Sequence, residues 1–151
     1  GSNQGTISNS HATIGMVTGT NEVGGLAGIN TGVGSVDQSY ATGIVDGTTD
    51  KAEKAGGLVG LNEGSISNSY ATGSVTSTNS YSGGLVGYNF GGISTSYAAG
   101  SVNGKDLVGG LVGYHSNGSI NNSYATGSVT ARVMGFEGYV SYTDIDNARN
   151  G

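Results

Sequence analysis

The sequence predicts an all-β fold, a right-handed parallel β-solenoid of about four to five rungs. Three observations carry that expectation: two short phrases recur at nearly constant spacing, the residues around them alternate with a period of two, and glycine supplies 31 of the 151 residues. The first phrase is Gly24-Gly25-Leu26-Ala27-Gly28, repeated as Gly56-Gly57-Leu58-Val59-Gly60, Gly83-Gly84-Leu85-Val86-Gly87 and Gly109-Gly110-Leu111-Val112-Gly113. The second is Ser39-Tyr40-Ala41-Thr42-Gly43, with copies at Ser69-Tyr70-Ala71-Thr72-Gly73, Ser96-Tyr97-Ala98-Ala99-Gly100 and Ser123-Tyr124-Ala125-Thr126-Gly127. Ser10-His11-Ala12-Thr13 is a fifth, altered copy. Internal repetition at such a period marks units that bury their apolar faces only by stacking on one another.

The leucines of the first phrase lie 32, 27 and 26 residues apart and the tyrosines of the second 30, 27 and 27 apart, while Leu and Tyr within a unit are separated by 14, 12, 12 and 13. The body of each unit is therefore fixed and the length variation falls after the second phrase, in stretches such as 46–55. Of fifteen charged residues only Asp37 and Glu63 lie inside the repeat body. A stacked coil explains this, since a charge in the body would sit about 4.8 Å from its copy in the next rung.

Within the unit, Tyr70-Ala71-Thr72-Gly73-Ser74-Val75-Thr76 alternates between two chemical sets, the mark of a strand. Ala71, Gly73 and Val75 are expected to point inward, and Tyr70, Thr72, Ser74 and Thr76 outward. Ile66 and its copies Ile7, Val36, Ile93 and Ile120 are expected in the core. Asn62-Glu63-Gly64 and Asn89-Phe90-Gly91 read as turns, with asparagines able to hydrogen-bond along the coil axis. Each unit thus supplies two or three short strands, and four to five rungs give a rod of roughly 20–25 Å. Right-handedness follows from the crossover preference of parallel strands. In Leu58-Val59-Gly60-Leu61 apolar residues occupy both alternation sets, so one set is expected outside the coil: either loops cover it, or Val59, Val86 and Val112 with Leu61, Tyr88 and Tyr114 form an exposed apolar stripe that invites a partner.

Other architectures fit less well. Glycine lacks the every-third-residue period of collagen and proline is absent. Helices would lose about 1 kcal/mol at each glycine, and propeller blades usually need about 40 residues. Residues 1–130 form the repeat array. The phrases degrade over 131–151, read as a degenerate terminal rung, a cap or the start of a next segment. Asn3-Gln4-Gly5-Thr6-Ile7 matches Asn62-Glu63-Gly64-Ser65-Ile66, so the array is expected to extend before the first residue.

These phrases resemble the bacterial GLUG motif, and the resemblance covers the chain through about Thr130. It implies a repeat segment of a secreted or surface-attached bacterial protein, the setting of adhesin-like chains and immunoglobulin A peptidases. In those peptidases the chemistry resides in a separate zinc domain with a His-Glu-x-x-His motif, which this chain lacks.

The leading functional expectation is a non-catalytic, extracellular adhesin module that contacts a host glycan or surface protein. The runner-up is a mechanical stalk presenting another domain, and ice binding by the Thr42, Thr72 and Thr126 column, interrupted by Ala99, is a third reading. The candidate ligand-binding residues are Tyr40, Tyr70, Tyr97 and Tyr124, because tyrosine joins apolar area to a polar tip; the stronger reading of the same column is structural, an aromatic ladder between stacked strands or, if the inward assignment is reversed, part of the core.

The formal net charge of −5 with five Lys and Arg leaves no basic stripe for nucleic acid, and no apolar run of about 18 residues is present for membrane insertion. Cysteine is absent. No catalytic group, metal ligand or cofactor is expected. Asp144-Ile145-Asp146-Asn147 begins like a calcium loop but lacks the sixth-position glycine and the later glutamate. Open sheet edges are expected to permit self-association.

Overall fold

The computed structural model describes residues 1–13, 15–48, 52–78 and 81–132, together with the strand Tyr139–Val140. Every regular element among them is a strand, and the strands stack into five parallel sheets that wind into a β-solenoid of about five turns. The expected boundary at 131 falls almost wholly on residues outside the described ones, as does Asp144–Asn147. Tyr139–Val140 pairs antiparallel with Ala131 and Arg132, along the edge strand of one sheet.

One turn reads Val59–Asn62, Ser65–Ser67, Tyr70–Ala71, Val75–Ser77 and Tyr81–Gly83. It therefore holds five strands, not the two or three expected. The added strands come from two sources. Corners cut the alternating run into segments of two to four residues, and the stretch after the second phrase, read as a variable connection, contains a fifth strand. This strand is Ala52–Gly56 in one rung and Tyr81–Gly83 in the next, paired in register through Lys54 and Tyr81, Ala55 and Ser82, and Gly56 and Gly83. Glu22 and Lys54, assigned from sequence to a loop, accordingly sit on a strand and form a 2.9 Å ion pair between adjacent rungs.

Register is fixed across the array: Ile66 pairs with Val36 and Ile93, Tyr70 with Tyr40 and Tyr97, and Val75 with Val45 and Val102. The interior holds two cores. The first collects Leu58, Leu85, Leu111, Val59, Val86, Ile66, Ile93, Ala71 and Ala98. The second, between the fourth and fifth strands, collects Val23, Ala55, Val45, Val75, Val102 and Val108. Ala71, Gly73 and Val75 are buried while Tyr70, Thr72, Ser74 and Thr76 are not, as the alternation predicts.

The first phrase departs from simple alternation. The chain bends at Gly57-Leu58, so Leu58 and Val59 both enter the first core and are fully buried. Val59, Val86 and Val112 are thus interior residues, not an external set covered by loops; only Leu61 and Tyr88 are half-buried and Tyr114 exposed.

Close approach explains the paired glycines. A Cβ at Gly84 would overlap the carbonyl oxygen of Gly110 in the next rung and lie 2.9 Å from the Ala98 methyl. Gly57 meets Ala71 at the same 2.9 Å. The two recurrent phrases are thus halves of one contact, in which the glycine corner of the first packs on the alanine of the second.

One buried polar atom breaks the pattern. Ser82 stands in the column of Val23, Ala55 and Val108, fully buried, with no hydrogen-bond partner for its hydroxyl. An unpaired buried hydroxyl is destabilising and its removal relieves the cost. Ser82→Ala is expected to raise stability by about 1 kcal/mol, read as a higher urea midpoint at unchanged m; a lower midpoint would show that the hydroxyl is satisfied in solution.

Candidate functional site

The tyrosine column is set up by a repeated corner. Gln38, Asn68, Thr95 and Asn122 each adopt left-handed backbone with φ of 47° to 49°. The next residue, Ser39, Ser69, Ser96 or Ser123, turns inward and is buried. These serines form a ladder: the Ser39 backbone N–H donates to Ser69 Oγ at 3.1 Å, Ser69 N–H to Ser96 Oγ at 3.2 Å, and Ser96 N–H to Ser123 Oγ at 3.2 Å. Each hydroxyl donates in turn to a carbonyl two residues back, as Ser69 does to Ser67 at 2.6 Å. With the serine held in, the following tyrosine must face out.

The rings then stack face to face. Centroids lie 4.8 Å apart for Tyr40 and Tyr70, 4.9 Å for Tyr70 and Tyr97, and 5.3 Å for Tyr97 and Tyr124, with planes within 8° of parallel. His11 extends the ladder at 5.0 Å from Tyr40. All four sequence-predicted residues are therefore brought together, on the outside of the coil and partly buried except for the exposed Tyr124. Burial within the stack, with the neighbouring phenols of Tyr70 and Tyr124, pushes the Tyr97 hydroxyl pKa up. The geometry limits their chemistry. Ring faces are occupied by neighbouring rings, so the column offers ring edges and hydroxyls to a partner.

A second aromatic group went unrecognised in the sequence. Tyr88 packs edge-on against Tyr81 at 5.0 Å and 84°, and tilted against Tyr114 at 4.8 Å and Phe90 at 4.5 Å. Tyr81 belongs to the fifth strand, read beforehand as connection. Tyr88 and Tyr114 had been noted only as members of an apolar stripe. Their tilted rings do not cover one another as stacked rings do.

A second polar ladder runs along the ends of the strands Ala27–Asn30, Val59–Asn62 and Val86–Asn89. Asn3 Nδ2 donates to Asn30 Oδ1 at 2.8 Å, Asn30 to Asn62 at 2.8 Å, and Asn62 to Asn89 at 2.7 Å. The asparagine stacking expected from the turns is therefore present. His115 takes the next position, its Nδ1 3.0 Å from Asn89 Nδ2; the amide nitrogen can only donate, so that ring nitrogen accepts. Both histidines thus close ladders, His11 the aromatic one and His115 the amide one.

Among the charges, Lys54 loses stabilisation through burial, but the Glu22 carboxylate outweighs this and holds the ammonium pKa above its usual value. Asp37 accepts from Ser67 Oγ at 2.7 Å and Asn68 Nδ2 at 2.8 Å, and these bonds, Ser67 first, hold its carboxyl below the usual range. Among the described residues no group of three His, Asp or Glu side chains gathers as a metal site would require.

The family model for the GLUG motif matches residues 52–76 and 106–130. The two matches support a GLUG-repeat region in this chain. Each match starts at or just before a fifth strand and ends in the fourth strand that follows, so one GLUG motif corresponds to one turn of the solenoid. No curated protein and no solved structure matches the chain.

Two measurements test this corner. Thr95 is a β-branched residue in left-handed backbone, where its counterparts Asn9, Asn68 and Asn122 tolerate the conformation better. Thr95→Asn is expected to stabilise by about 1 kcal/mol, seen as a raised thermal midpoint; no change would mean that the threonine is unstrained. For Asp37, a folded pKa below the unfolded one gives stabilisation that is present above the unfolded value and is lost as pH falls through the folded value. The carboxyl 13C titration of Asp37 should therefore have a midpoint below the ordinary aspartate range, rising towards it in Ser67→Ala; an unmoved midpoint removes the hydrogen bond as the cause.

Proposed function

We propose that this GLUG-repeat array is a non-catalytic contact module of a secreted or surface-attached bacterial protein, binding a glycan or protein weakly at each rung and firmly through several rungs at once. The observation that supports this reading is the fixed register of outward columns, above all Tyr40, Tyr70, Tyr97 and Tyr124 at spacings of 4.8 to 5.3 Å. A rigid row of equivalent side chains lets one extended partner engage several rungs, and linkage raises avidity without any strong single site. The tyrosine hydroxyls serve as hydrogen-bonding edges, and the tilted group of Tyr81, Tyr88 and Tyr114 supplies ring faces of the kind that take apolar or sugar surfaces.

A mechanical spacer is the second reading. It is favoured by the same stacked tyrosines, whose faces are engaged within the chain and which therefore already serve the coil. Removing one 27-residue unit, for example 81–107, separates the two. A contact module should lose apparent affinity on a glycan array or partner surface by about 10-fold or more, and Tyr70→Ala with Tyr97→Ala should weaken it further. A spacer loses only length. Unchanged binding in both variants would discard the tyrosine column as a contact surface.

A further inference from the structure

The asparagine ladder has a direction. Each side-chain Nδ2 donates to the Oδ1 one rung further along, from Asn3 through Asn30 and Asn62 to Asn89, and the last Nδ2 meets His115 Nδ1 at 3.0 Å. Backbone carbonyls fix that direction. Asn3 Nδ2 also donates to Gly5 O and Ser35 O, both at 3.1 Å, Asn30 Nδ2 to Gly34 O at 3.3 Å and Ser65 O at 3.2 Å, and Asn89 Nδ2 to Gly91 O at 2.9 Å. An amide turned over would set its oxygen against a carbonyl, which can only accept.

At the start of the ladder Asn3 Oδ1 accepts from Gly5 N–H at 3.2 Å, so the first amide is held on both sides. The far end leaves one demand. Asn89 is fully buried, and its Nδ2 has one hydrogen for Gly91 O and one for His115. Reversing Asn89 would oppose two acceptors at Gly91 and two donors at Asn62, whose Nδ2 lies 2.7 Å from Asn89 Oδ1. The residue in the next rung must therefore present a lone pair, and neutral imidazole does so at the nitrogen that carries no hydrogen.

Asn30, Asn62 and Asn89 meet the same demand with an amide oxygen, which does not titrate. His115 meets it with a ring that changes charge near neutral pH. A second ring proton would set an N–H against the Asn89 N–H. The strands packed against Val112–His115 are Val86–Asn89, Tyr81–Gly83 and Leu107–Gly109; their titratable groups are Tyr88 and Tyr81, and its own strand adds Tyr114. Phenols carry no charge in the range where imidazole titrates. The corner beside the ladder runs Glu63, Phe90 and Ser116, whose backbone N–H groups donate to Asn30 O, Asn62 O and Asn89 O in turn, so the Glu63 carboxylate stands two rungs away. These elements therefore bring no carboxylate to the rung next to His115 that would offset the added charge.

We propose that His115 is a pH-sensitive latch on its turn of the solenoid. Neutral, it closes the ladder through Nδ1 and carries its hydrogen on Nε2. Protonated, the half-buried ring leaves the ladder for solvent and loosens the end of the strand Val112–His115 from Asn89. The latch operates whatever the outer columns bind.

NMR of the 15N-labelled chain tests it. Ring correlations at about pH 8 should place the hydrogen of His115 on Nε2, and a hydrogen on Nδ1 would overturn the assignment by itself. On lowering the pH to about 5, the exchange protection of the Ser116 amide, which donates to Asn89 O at 2.9 Å, should fall about 10-fold or more, while that of the Glu63 and Phe90 amides holds. His115→Asn continues the ladder with an amide and should abolish the loss. The chain has two histidines, and His11→Tyr, which gives the other its column's own residue, should leave the loss intact. A loss that persists in His115→Asn, disappears in His11→Tyr or extends equally to Glu63 and Phe90 would overturn the latch, as would unchanged protection of Ser116 in the unsubstituted chain.

Discussion

Backbone pairing between rungs is the interaction on which everything else in this chain depends. The segments of a turn are two to five residues long and cannot satisfy their own amide and carbonyl groups, so the partners lie one rung above and below. Even at the glycine corner, where no regular strand exists, Leu58 N–H reaches Leu85 O at 2.9 Å and Leu85 N–H reaches Leu111 O at 2.8 Å. A pairing that runs unbroken through corners requires neighbouring turns to follow the same path. That requirement, more than any single apolar contact, forces the sequence to repeat.

The path is narrow, and polar ladders hold its register. Asn30, Asn62 and Asn89 are fully buried, and each makes its inter-rung bond only if its copy lies directly along the axis. The same holds for Ser39, Ser69 and Ser96. A slip by one residue would bury unpaired amides against leucine or valine, at about 1 to 3 kcal/mol for each orphaned group. Apolar columns alone would tolerate such a slip better, because Leu, Val and Ile interchange at modest cost. Two amide and hydroxyl columns flanking one apolar core therefore specify a single stacking where hydrophobicity alone would permit several.

This division explains what could be read from the sequence. The solenoid, the inward set Ala71, Gly73 and Val75, the Ile66 column and the asparagine ladder all follow from residues that recur at fixed offsets. The fifth strand did not announce itself, because its column runs Glu22, Lys54, Tyr81 and Leu107 and shares no chemistry from rung to rung; only the inward sequence Val23, Ala55, Ser82 and Val108 is consistently small. The inward turn of Val59 was equally hidden. It depends on a bend at Gly57-Leu58 that resets the alternation, and a period-two pattern cannot register a change of phase that it does not contain. The serine before each tyrosine was visible as a letter in the phrase, but its role depends on the left-handed residue preceding it, a position filled variously by Gln38, Asn68, Thr95 and Asn122.

The same reasoning separates structural from functional candidates on the outer surface. A side chain repeated in every rung is one that stacking selects, and the tyrosine column shows it: its ring faces serve one another, leaving only edges for a partner. Departures from the period carry a different meaning. Lys105 and Arg132 occupy a column that holds threonine at 48 and 78, and Tyr81 stands where neighbouring rungs carry lysine and leucine. In an array whose interior is fixed by pairing, the residues free to acquire a ligand are the outward ones that break the repeat, so the aperiodic positions are where specificity for a partner can be built.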